Sequence, residues 1–93
     1  MKTTYNGKRY DSNKCETLAE RNHYSHSNNY AGTTYIMRAS DGQMLIYRWT
    51  NGQDLYLSDE FFAPEGPIDW DRYDMTDEQE ARCAELGLIE IVA

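Results

Sequence analysis

Cys15, His23 and His26 are the side chains best suited to metal binding or nucleophilic chemistry. A thiolate with two imidazoles suits zinc, but a structural site needs four ligands, usually with a closely spaced cysteine pair. The chain has no C-x2-C and no fourth ligand at such a spacing. A thiol nucleophile, Cys15 or Cys83 with His23 as base, would also need an orienting group and oxyanion donors. Nothing in the local sequence supplies them. Carboxylates occur in pairs at Asp59/Glu60, Asp69/Asp71 and Asp77/Glu78. General acid–base work needs two groups whose environments push their pKa values apart, and a crowded acidic segment gives such pairs by chance. Gly7-Lys8 lacks the glycine spacing of a phosphate loop. The expectation is no catalytic residue, no metal, no cofactor and no enzyme activity.

Charge is more informative. The net charge is −7, and its sign is segregated along the chain. Up to Gln53 there are seven basic and four acidic residues; from Asp54 onward there are two basic and twelve acidic. A field of that sign repels nucleic acid and attracts basic protein surfaces. Lys2, Lys8, Arg9, Lys14 and Arg21 make at most a small basic patch, so direct nucleic-acid binding is not expected.

The stretch Asp59–Asp74 interleaves rings with carboxylates: Asp59, Glu60, Phe61, Phe62, Glu65, Asp69, Trp70, Asp71, Tyr73 and Asp74. Aromatic rings anchor protein interfaces and carboxylates steer a basic partner toward them. Spaced carboxylates also imitate DNA phosphates, the reverse of the usual phosphate contact. These ten residues are the candidate partner-binding site. Part of the ring set is expected to complete the core instead.

The elements that must position this segment are marked by turn chemistry. Asn6-Gly7, Asp41-Gly42 and Asn51-Gly52 suit two-residue type I′ turns between strands. The first predicts a hairpin of Thr3–Tyr5 with Lys8–Tyr10. The others predict a three-stranded meander of Thr33–Ser40, Gln43–Thr50 and Gln53–Leu57. Two-residue loops fix the register. One face would then carry Tyr35, Met37, Ala39, Met44, Ile46, Arg48, Leu55 and Leu57 toward the core. The other would carry Thr34, Ile36, Arg38, Leu45, Tyr47, Trp49, Asp54 and Tyr56, half exposed. From that second face, Tyr47, Trp49 and Tyr56 form a secondary candidate surface.

Two helices are predicted to pack on the sheet. Asp11 or Ser12 would cap the first, running to Tyr24, with Cys15, Leu18, Ala19 and Asn22 on one side at helical spacing. Thr76-Asp77-Glu78-Gln79 reads as a capping box opening the second, which Gly87 would stop. Leu88–Val92 reads as a terminal strand. The expected fold class is α+β, a single domain over residues 1–93. Residues 1–5 lack the apolar core of a signal peptide and no apolar run could span a bilayer, which points to the cytoplasm of the host cell. In that compartment Cys15 and Cys83 are expected as free thiols.

Tyr5-Asn6-Gly7-Lys8-Arg9-Tyr10-Asp11 resembles the opening of small proteins carried by phages and other mobile elements. In those proteins a helix, a short meander and an acidic C-terminal helix follow. Some of this look are anti-CRISPR proteins. The resemblance implies a non-catalytic inhibitor of a host defence complex, such as a CRISPR effector subunit with a basic nucleic-acid-binding surface. A homodimeric regulatory or assembly module, using its sheet as interface, is the alternative.

Overall fold

The computed structural model describes residues 1–52 and 58–92. Strands β1 (Lys2–Tyr5) and β2 (Lys8–Asp11) form the expected N-terminal hairpin, closed by Asn6-Gly7 with both residues at positive φ. Strands β3 (Glu16–Tyr24), β4 (Tyr30–Arg38), β5 (Met44–Thr50) and β6 (Glu60–Phe62) form a four-stranded antiparallel sheet in that order. One α-helix, α1 (Asp77–Glu85), and two 3₁₀ turns complete the described residues.

The fold is therefore mostly β, not two helices on a sheet. The segment expected as the first helix is β3. Asp11 does cap, accepting from the Asn13 N–H at 3.0 Å, but the capped element is a single 3₁₀ turn, Ser12–Lys14. The helical spacing of Leu18 and Ala19 has another cause. Between Thr17 and Ala19 the pairing with β4 slips by one residue, so Leu18 and Ala19 together oppose Ile36. A bulge of this kind places two consecutive residues against the core, and both are fully buried. Strand β3 also stands in place of the first helix that the mobile-element resemblance implied.

The β4–β5 connection differs from expectation by one residue, with large consequences. The Ala39 N–H donates to the Gln43 carbonyl and the Gly42 N–H to the Ala39 carbonyl, each at 2.9 Å. The loop is Ser40-Asp41-Gly42, a turn followed by a residue in the left-handed region, Gly42 at φ 92°. Arg38 therefore faces Met44, and Tyr35 faces Tyr47. A one-residue slip exchanges the faces of the whole strand. Leu45, Tyr47 and Trp49 join Thr33, Tyr35 and Met37 on one face. Met44, Ile46 and Arg48 join Thr34, Ile36 and Arg38 on the other. The expected third meander strand, Gln53–Leu57, lies outside the described residues.

The hairpin covers one end of the first face: Tyr10 packs with Met37, Ala39, Leu45 and Phe61 in one buried cluster. Its hydroxyl donates to Asp41 Oδ2 at 2.8 Å. Helix α1 covers the second face over β3, where Cys83 is buried against Leu18 and Arg82 Nε bonds both oxygens of Glu16 at 2.9 Å. The capping box forms as read: Thr76 accepts from the Gln79 N–H and Gln79 from the Thr76 N–H. The helix ends at Gly87, whose N–H donates to Ala84 while that of Leu88 donates to Cys83. This closure sends Leu88 into a cleft beside Met44 and Trp70, and residues 88–92 form no strand.

The register makes a sharp distinction between neighbours. Leu45 is fully buried, whereas Ile46 is partly exposed in a surface cleft. Leu45→Ala is expected to cost about 2–5 kcal/mol, and Ile46→Ala clearly less, measured by denaturant unfolding. A larger loss at Ile46 than at Leu45 would restore the two-residue turn.

Candidate docking surface

Segment 63–73 crosses the sheet. It leaves β6 at one edge and reaches β3 at the other, where Asp74 and Glu20 exchange backbone hydrogen bonds of 2.7 and 3.0 Å. This strap lies on the α1 side, over Met44, Ile46 and Phe62. Two clefts open beside it. One of about 550 Å³ includes Ile46, Phe62, Pro64, Ile68, Arg72 and Tyr73 in its lining. The other, about 410 Å³, includes Met44, Pro67, Ile68, Trp70 and Leu88. The 3₁₀ turn Trp70–Arg72, closed by the Tyr73 N–H on the Trp70 carbonyl at 3.1 Å, sets Trp70 against the cleft and Asp71 in solvent.

The ten candidate residues divide. Three are structural. Phe61 is buried in the hairpin-side core. Glu60 pairs with Arg48 at 2.7 Å, and Asp59 Oδ1 accepts the Thr50 N–H at 2.8 Å. Phe62 is 40% exposed, and Trp70 and Tyr73 are half-buried in the clefts. Glu65, Asp69, Asp71 and Asp74 are exposed, and among the described residues none forms an ion pair. Asp77 and Glu78 extend the exposed carboxylates into the first turn of α1, where they also complement the helix dipole.

The secondary surface divides too. Tyr47 is half-buried, stacked on Tyr35 and edge-on to Phe61, both at 5.9 Å between centroids. Trp49 is exposed beside Tyr30. Tyr56 lies outside the described residues. Tyr24 and Tyr30, which form the exposed ring cluster with Trp49, were missed because they flank an Asn/Ser-rich stretch that reads only as a loop. Tyrosines bracketing a turn between strands were the available signal.

No family model, curated protein or solved structure matches this chain. Its chemistry must be read from its own residues. Both cysteines are free thiols; burial first, then nearby carboxylates, pushes each thiol up, away from the nucleophilic thiolate. Among the described residues no group of three or more His, Cys, Asp or Glu could hold a metal ion. No helix among them is long and apolar enough to cross a membrane.

His23 instead acts within the sheet. Its Nε2 lies 2.6 Å from Thr34 Oγ1. Burial first, then Arg21 and Arg48, lowers its pKa from the ordinary 6.5. The unfolded chain therefore binds the proton more readily. The stability His23 contributes is present above about pH 6.5 and falls as pH drops into the window below it. Between about pH 7 and about pH 5.5 the parent should lose stability more steeply than His23→Gln, by denaturant unfolding at each pH. Equal slopes would remove His23 from the account.

Proposed function

We propose that this chain is a non-catalytic inhibitory protein that docks its strap on a basic, nucleic-acid-handling protein in the cytoplasm of the host cell. One observation carries the reading: Glu65, Asp69, Asp71 and Asp74 stand exposed and, among the described residues, outside any ion pair, on a segment anchored at both sheet edges. Four exposed carboxylates against a single strap cation, Arg72, leave a net negative field to an incoming partner, and a tethered strap limits the ordering cost of binding. Phe62, Trp70 and Tyr73, beside those carboxylates and partly exposed, supply apolar area that charge alone does not.

A target that normally binds DNA or RNA phosphates presents the complementary surface, and occupying it would block that binding by charge mimicry. A CRISPR effector subunit is such a target, in line with the inhibitors that the opening motif resembles. The homodimer alternative finds less support. The hairpin covers one end of one sheet face, and α1 and the strap lie on the other.

The target can be captured from host lysate at low salt, identified, purified and used in binding kinetics. Asp69→Asn with Asp71→Asn should slow association and flatten its salt dependence without changing the thermal melt. Trp70→Ala should mainly speed dissociation. Unchanged association in the folded charge variant would remove the strap as the docking surface. A Trp70→Ala chain that melts about 3–5 kcal/mol less stable would make that ring core.

A further inference from the structure

The opposite face of the sheet carries a second surface, with different chemistry. Tyr24, Tyr30 and Trp49 are 59%, 40% and 38% exposed. They form a row: Tyr24 meets Tyr30 edge-on at 6.4 Å, and Tyr30 meets Trp49 at 6.3 Å. The row is held in place. Thr33 donates its hydroxyl proton to Asn22 Oδ1 at 2.9 Å, so the Tyr30 hydroxyl is the donor to Thr33. Asn51 clamps the backbone beneath, donating from Nδ2 to the Tyr30 carbonyl at 2.7 Å and from its N–H to Ala31 at 3.0 Å. Gly32 lets β4 approach β5 here; a Cβ on it would sit 2.2 Å from the Trp49 carbonyl oxygen. Side chains and backbone are thus spent on fixing rings that remain in solvent.

Two carboxylates share this face of the sheet with the row. Glu20, opposite Tyr35, lies on this side of β3, and Asp59 sits beside Thr50, close enough to Tyr47 to help hold its phenol up after burial. Arg21, His23 and Arg48 lie on the other face, with Thr34.

We infer that Tyr24, Tyr30 and Trp49 form a docking platform for an arginine-bearing segment of a protein partner. A guanidinium is flat and weakly hydrated. It stacks on tyrosine and tryptophan faces while pairing with a carboxylate, which a compact, strongly hydrated ammonium does less well. Nucleic-acid bases also stack on such rings, but their phosphates would meet Asp59 beside Thr50 and a chain of charge −7. This surface is distinct from the strap and does not depend on it.

The test is an NMR titration of the intact chain with hexa-arginine, hexa-lysine and a six-residue oligothymidylate. The side-chain indole signals of Trp49 and Trp70 report the two surfaces separately. Hexa-arginine should shift the Trp49 indole and the Tyr24 and Tyr30 rings, and bind more tightly than hexa-lysine by about threefold or more. Trp49→Ala, and independently the more exposed Tyr24→Ser, should each weaken the hexa-arginine effect on the remaining rings by about threefold. Asp69→Asn with Asp71→Asn should leave the Trp49 response in place, so loss of the strap reading would not count against the platform. Shifts confined to Trp70, equal affinity for hexa-lysine, unchanged binding in both ring variants, or saturable binding of oligothymidylate at Trp49 would each overturn the inference.

Discussion

The loop Ser40-Asp41-Gly42 sets the arrangement of everything around it. By closing β4 and β5 with three residues, it brings Tyr35, Tyr47 and Phe61 into one cross-strand row and Ile36, Ile46 and Phe62 into the row behind. Asp41 ties this loop to the hairpin. One oxygen accepts the Gln43 N–H at 3.0 Å, and the other takes the Tyr10 hydroxyl and faces Lys8. The Gln43 bond first and the Tyr10 bond second hold Asp41 below the ordinary carboxylate range. The turn that fixes the register therefore also fixes what packs on the sheet.

A two-sided molecule follows. The hairpin side carries rings held by hydroxyl and amide hydrogen bonds. The α1 side carries the strap, whose carboxylates stand over apolar clefts. Both sides combine aromatic surface with negative charge, but in different proportions: the platform is mainly rings, the strap mainly carboxylates. A single basic partner reaching around β3, or two separate partners, would use these surfaces differently. On the proposed readings, either arrangement would recognise cationic side chains, by steering on one side and stacking on the other.

How much of this could be read in the sequence depended on how local its cause was. The Thr76/Gln79 capping box, the Gly87 stop and the Asn6-Gly7 hairpin rest on neighbouring residues, and each formed as read. The acidic-aromatic segment was visible from composition, yet its path across the sheet was not, because the Asp74–Glu20 bridge joins residues far apart in the chain. Glu60 and Phe61 look the same in sequence as the residues left exposed; only pairing with β5 assigns one to Arg48 and the other to the core. Strand β3 was misread because its bulge sets Leu18 and Ala19 side by side, as one face of a helix would. Asp41-Gly42 suits a two-residue or a three-residue loop equally well, and tertiary packing selects the longer one.

The division into a ring-bearing side and a strap-bearing side rests on that register, and cross-strand Hα–Hα NOEs measure it directly. Glu20 bonds outward to Asp74, so its pair with Tyr35 carries no hydrogen bond across β3–β4, and the alternation leaves Thr34–Arg48, Ile36–Ile46 and Arg38–Met44 as the close, non-hydrogen-bonded pairs of β4 and β5. Strong NOEs between the Hα protons of Ile36 and Ile46, and of Arg38 and Met44, are the expected result. NOEs joining Ile36 to Tyr47 or Arg38 to Leu45 would mean a two-residue turn, with the aromatic rings and the strap on the same side of the sheet.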